Sequence, residues 1–219
     1  MNSVGSFSRH YFSAAPRRAG ATAGGIKMNK KSVETRVLTG VAIFTAIVIV
    51  LQLLGAFIRF GPFSISLVMI PIVVGAALYG PAAGAWLGLA FGIVVLISGD
   101  AGAFLAVNPL GTIITVVTKG VLAGWISGLI YKALSKHEVP AALAASIAAP
   151  VVNTGVFLIG CLIFFMPTIT EWATAAGAKN VGTFMIVGLV GINFLIELAL
   201  NLVLSSTITQ LIRMGKKSH

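Results

Sequence analysis

The feature that most constrains this chain is a series of apolar runs separated by short, mostly basic connectors. The runs cover roughly 37–58, 63–79, 82–99, 109–132, 139–165 and 183–212. A helix that crosses a bilayer needs about 20 mainly apolar residues. In lipid, only a helix or a closed barrel satisfies its own backbone polar groups. Charged residues make up 9% of the chain, against roughly 25% in a soluble domain. So few charges cannot cover a water-facing surface of this size. The second and third runs are short and meet at Tyr79-Gly80-Pro81, a tight turn, and are counted separately. The expected fold is an all-α integral membrane protein, a compact bundle of six transmembrane helices spanning 30–212.

Basic residues in the connectors set the orientation. Lys30, Lys31 and Arg36 precede the first run, Lys132 and Lys136 follow the fourth, and Arg213, Lys216 and Lys217 close the chain. The opposite side carries only Arg59 and Lys179. Both termini are therefore expected in the cytoplasm, with loops 59–62, 100–108 and 166–182 outside. The net charge of +10 belongs to this bias, and no nucleic-acid partner is expected. Residues 1–29 read as a disordered tail or an extension upstream of a start at Met28, although their Ser-, Ala- and Arg-rich, acid-free start also suits an organelle transit peptide. Residues 213–219 read as a basic cytoplasmic tail. The single cysteine, Cys161, lies in an apolar run and reads as a packing residue.

Gly80, Gly84, Gly88 and Gly92 recur at every fourth position of the third run, and Gly120, Gly124 and Gly128 do so in the fourth. Small residues at this spacing let two helix backbones approach closely. Ala42 and Ala46 form a weaker version in the first run, which faces either neighbouring helices or a partner protein.

Ionisable groups within a bilayer are costly and mark functional candidates. Lys119 in the fourth run and Glu197 in the sixth are such groups, accompanied by the amides Asn153, Asn193 and Asn201. At about 1.5 Å of rise per residue, Lys119 and Asn193 lie roughly 15 Å below the outer surface, Asn153 roughly 18 Å and Glu197 roughly 21 Å. Asn193, Glu197 and Asn201 are spaced i, i+4, i+8 and share a helix face. Such a stripe is expected to face the bundle interior or a water-filled cavity. Two arrangements remain open: a buried Lys119–Glu197 pair, and an outward-opening pocket in which Lys119 binds an anion.

The sequence contains no G-x-x-x-x-G-K-[ST] phosphate loop and no H-E-x-x-H motif. Its three histidines lie in terminal or loop segments, and no Ser or Cys has an evident base beside it. Enzymatic activity, a metal and a cofactor are therefore not expected.

Five segments carry a resemblance over roughly 30–212. They are Ala42-x-x-x-Ala46, SISLVMIPIVVGAALYGPAAGAWLGLAFG (64–92), TKGVLAGWISGLIY (118–131), PVVNTGVF (150–157) and NFLIELALN (193–201). With these, the chain resembles the substrate-binding S component of energy-coupling factor (ECF) vitamin transporters, most closely the pantothenate-type members. The resemblance implies a bacterial plasma-membrane protein that captures a vitamin from outside. It further implies docking on a transmembrane coupling subunit through Ala42 and Ala46, two cytoplasmic ATPase subunits, and toppling in the membrane to release the ligand inward. A gate between Ala56 and Phe63 is implied as well.

Ligand contacts in the family come from the last three spans and the outer loops, which places Lys119, Asn153, Asn193, Glu197, Asn108 and Trp125 among the candidates. Pantothenate, a carboxylate with hydroxyls and an amide, suits one lysine among asparagines. Folate-type members usually show Pro-Arg where this chain has Thr118-Lys119. Riboflavin would stack on Trp125 or Phe157 but leave Lys119 without a task. Two readings stand beside this one: an ion-coupled carrier with Glu197 as its proton site, and a non-transporting membrane scaffold.

Overall fold

A computed structural model describes residues 30–55, 59–60, 63–64 and 67–217. The expected tail 1–29 and part of the expected gate, at 56–58 and 61–62, lie outside the described residues. The order is α1 (Lys30–Gly55), β1 (Arg59–Phe60), β2 (Phe63–Ser64), α2 (Met69–Tyr79), α3 (Pro81–Ile97), α4 (Gly102–Val107), α5 (Pro109–Ala133), α6 (Glu138–Phe164), α7 (Met166–Ala175) and α8 (Val181–Thr183). A π-helical stretch (Phe184–Gly191) then leads into α9 (Ile192–Val203) and α10 (Ser205–Lys217). The architecture is helical apart from one antiparallel ladder pairing Arg59 with Ser64 and Phe60 with Phe63.

Among the described residues, three helices are long and apolar enough to cross a membrane: Thr35–Gly55, Pro109–Ala133 and Glu138–Phe164. A fourth span exists if Val181–Gly191 and Asn193–Val203 are taken as one segment bent by 45°. The sequence pattern suggests a single helix over 183–212, and the structure divides that run instead. The π stretch changes the pitch of the backbone, the axis bends at Gly191–Ile192, and a further break falls at Leu204. The basic segment expected to be a tail from residue 213 continues α10 through Lys217.

The second run also differs from a lipid-facing span. Its helix α2 has 11 residues, roughly 16 Å at 1.5 Å per residue, about half the hydrocarbon thickness. Residues 68–76 are buried except for the partly buried Ile70, so α2 is the central element of the bundle. It packs against α1, α3, α5, α6 and α10. Val68, Met69, Ile72 and Val73 join Leu87 of α3, Ala123 of α5, Ala141, Ala145 and Ala149 of α6, and Ile208 and Ile212 of α10 in one apolar core. The expected turn between α2 and α3 is present. Gly80 adopts φ +94°, a left-handed conformation that disfavours any side chain, and Pro81 starts α3 at a position where its missing N–H costs nothing.

The glycine ladders lock α3 against α5. A Cβ on Gly84 would collide with the Gly124 carbonyl, and one on Gly88 with the Gly120 carbonyl. The reverse substitutions collide with the same partners. At the two ends of the interface, a Cβ on Gly92 would lie 3.0 Å from the Val116 carbonyl oxygen, and one on Gly128 would lie 2.8 Å from Pro81 Cα. Because the obstacles are backbone atoms, relief requires the helices to separate.

Gly88→Leu or Gly120→Leu should therefore lower stability by about 3 kcal/mol or more, at the upper end of overpacking costs. Gly155→Ala, whose Cβ meets nothing within 4 Å, should be neutral or stabilising. Thermal unfolding of the purified variants in detergent measures both.

Candidate functional site

One face of each of several helices closes on a cavity of ≈ 130 Å³. Helix α5 contributes Thr112, Thr115, Val116 and Lys119, spaced i, i+3, i+4 and i+7 and therefore on a single stripe. The glycine contacts fix this stripe against Phe91 and Val95 of α3. Helix α6 adds Asn153, Thr154 and Phe157, and the bent segment adds Leu189, Val190, Asn193, Phe194 and Glu197. Gln52 of α1, Asp100 and Ala101 after α3, and Phe104 of α4 complete the wall with Phe165.

The aromatic side is ordered by edge-on packing. Phe104 meets Phe157 at 5.5 Å, Phe165 at 5.0 Å and Trp172 at 5.5 Å between ring centroids. Cys161 is buried in this second apolar cluster with Ile169, Met185 and Leu189, as a packing residue would be.

The polar side carries the chemistry. The Lys119 ammonium stands 5.7 Å from the Phe91 ring centroid and 5.5 Å from that of Phe157, within cation–π range. Glu197 is 8% exposed and lines the same cavity. Lys119 and Glu197 do not close an ion pair, whereas Arg213 and Glu138 do, at 3.0 Å. The lysine is thus held over aromatic faces and lines the same cavity as Glu197.

The expected stripe on α9 is present: Glu197 and Asn201 are buried and Asn193 is partly so. Asn201 turns back along the helix, its amide donating to the Glu197 carbonyl at 2.8 Å. It therefore supports α9 without lining the cavity. Several buried acceptors of the cavity wall have no hydrogen-bond partner within the protein: Gln52 Oε1, Asn153 Oδ1, Asn193 Oδ1 and Glu197 Oε1, together with the Thr115 hydroxyl. Each such atom costs about 1–3 kcal/mol if nothing bonds to it.

The structure brings Lys119, Asn153, Asn193 and Glu197 together and leaves Asn108 and Trp125 outside the lining. Asn108 is the N-cap of α5. Its Oδ1 accepts from Gly111 N at 2.9 Å, and its carbonyl accepts from the Thr112 hydroxyl at 2.8 Å. The Asn-Pro pair at 108–109 is a helix-start signature. Trp125 is 44% exposed; six residues beyond Lys119, it lies roughly 120° around the helix from it.

Besides Thr112, Thr115 and Thr154, the polar residues Gln52 and Asp100, absent from the sequence expectations, belong to the site. Gln52 is 2% exposed and donates from Nε2 to Asp100 Oδ2 at 2.6 Å. Their separation of 48 residues hides the pair from local pattern reading. The available signal was an amide in the first apolar run and an acid in a chain with five acids. Among the described residues no cluster of three or more His, Cys, Asp or Glu is arranged to hold a metal ion.

The profile of the ECF transporter substrate-specific component family matches residues 36–209. The chain belongs to this family. It is accordingly a membrane-embedded, substrate-specific subunit of an ECF transporter, which binds a ligand and associates with the ECF module. Nothing among the curated proteins or the solved structures matches the chain.

Replacing Gln52 by Leu removes a charge-assisted hydrogen bond to Asp100 and should lower stability by about 1.5–3 kcal/mol. Trp125→Phe should leave the unfolding midpoint and ligand binding unchanged. Detergent melting curves with and without ligand compare the two.

Proposed function

We propose that this protein is the high-affinity capture subunit of an ECF-type importer for a small vitamin, with pantothenate as its ligand. It acts by binding rather than catalysis, in the bacterial plasma membrane. Its working assembly adds a transmembrane coupling subunit and two cytoplasmic ATPases. The observation that carries this reading is the cavity, where Lys119 faces Glu197, Asn153 and Asn193 across a space bounded by phenylalanines. The cavity volume is ≈ 130 Å³. Lys119 supplies the positive point for a carboxylate, and the phenylalanines suit an aliphatic middle.

In this reading all six apolar runs traverse the membrane, with the short α2 buried among its neighbours and both termini cytoplasmic. The Arg213–Glu138 ion pair supports a shared side for the C-terminal helix and the connector between α5 and α6. Helix α1 suits the docking role. Ala42 and Ala46 are exposed on it, and only 11% of its apolar window is buried, against 39% for α5. Its inward face instead carries Val48 and Gln52, both fully buried.

Titration calorimetry of the purified protein should show tight pantothenate binding without ATP. Lys119→Ala should weaken it by about 1–3 kcal/mol, the size of a charge-assisted bond. Uptake that survives loss of the ATPases and collapses with an uncoupler would instead assign Glu197 as the proton site of a stand-alone carrier.

Ala42→Trp and Ala46→Trp should abolish co-purification with the coupling subunit while leaving pantothenate affinity within about twofold, since neither residue lines the cavity. Loss of ligand affinity in both variants would place these alanines in internal packing.

A further inference from the structure

Apart from the Thr115 hydroxyl, which both donates and accepts, the unpaired atoms of the cavity wall share one hydrogen-bonding character. Glu197 Oε1, Asn153 Oδ1, Asn193 Oδ1 and Gln52 Oε1 are all acceptors. Three of the donors are already engaged: Gln52 Nε2 bonds to Asp100, the Thr112 hydroxyl bonds to the Asn108 carbonyl, and the Lys119 ammonium sits over Phe91 and Phe157.

Glu197 weighs most in this pattern. A carboxylate only accepts, whichever way its side chain turns. At 8% exposure it has little water to rely on, and one oxygen has no partner within the protein. A buried carboxylate in that position is costly until a donor reaches it. An occupant that is merely a carboxylate with an apolar tail would satisfy Lys119 and leave the acceptor wall unbonded.

We propose that the ligand is two-ended, with an anionic group for Lys119 and a hydroxyl-bearing part that closes on Glu197 and the Asn153 and Asn193 carbonyls. Glu197 is then the specificity-determining residue, which selects hydroxylated acids over acids without hydroxyls. This rests on the vitamin-capture reading of the same cavity.

The test uses the full chain in detergent and titration calorimetry with three probes. Pantothenate carries a carboxylate, an amide and two hydroxyls. N-(3,3-dimethylbutanoyl)-β-alanine keeps the carboxylate, the amide and the branched end but lacks the hydroxyls. Lipoate is a carboxylate with no hydroxyl and no N–H. The wild type should prefer pantothenate to the dehydroxylated analogue and to lipoate by at least about tenfold, the scale of a hydrogen bond to a charged group. Glu197→Leu should weaken pantothenate at least about tenfold while changing the analogue less than about twofold, so that the preference collapses. The isosteric Glu197→Gln, which keeps one acceptor, should fall between, and it decides the matter if the leucine variant does not fold.

Equal weakening of pantothenate and the analogue in these variants would overturn the role of Glu197. Tight lipoate binding that ignores Glu197 would overturn the donor requirement and leave vitamin capture standing. Binding of none of the three probes would overturn this proposal together with the pantothenate assignment.

Discussion

The close approach of α3 and α5 is the contact on which the remaining geometry depends. Gly84 against Gly124 and Gly88 against Gly120 bring two backbones together where any side chain would collide. Without water in the surroundings there is little hydrophobic drive to associate helices, so the gain comes from dispersion and fit. The same contact has a chemical result. Lys119 adjoins Gly120, and Phe91 lies between Gly88 and Gly92. Drawing the glycines together therefore sets the ammonium over the phenylalanine ring and fixes one wall of the cavity.

Around this rigid pair, polarity is distributed unevenly. The core formed by α2 with α3, α5, α6 and α10 is apolar and filled with alanine, valine and isoleucine. The cavity lies between that core and the second apolar cluster, with Phe104, Phe165 and Ile169. Its opposite wall comes from the segment with the least regular backbone, the π stretch and the bent entry to α9. A π turn within a helix often accompanies a functional site. Here it contributes Leu189 and Val190 to the lining, just ahead of Asn193 and Glu197.

Local sequence periodicity revealed the parts of this arrangement that have a period. Glycines four apart disclosed the α3–α5 seam, and Asn193, Glu197 and Asn201 disclosed an inward face, because both signals repeat with the helix itself. Lys119 stood out because a charge in an apolar run is rare. What stayed hidden depends on tertiary placement. Gln52 meets Asp100 only once α1 has folded against the bundle. Hydropathy alone does not distinguish a span facing lipid from a helix such as α2 that is wrapped by its neighbours. Asn108 was legible, but as a cap: the following proline and the glycine whose N–H it accepts announce the start of a helix.

The Gln52–Asp100 bond has a mechanical meaning. Gln52 lies ten residues beyond Ala42 on the same straight element, a lever arm of roughly 15 Å. If α1 pivots near Ala42 by roughly 10°, Gln52 travels roughly 2.6 Å over that arm, nearly the length of the bond itself. Helix α1 is thus a handle whose far end is tied to the cavity wall, and a modest tilt at the membrane-facing side is enough to pull that tie apart.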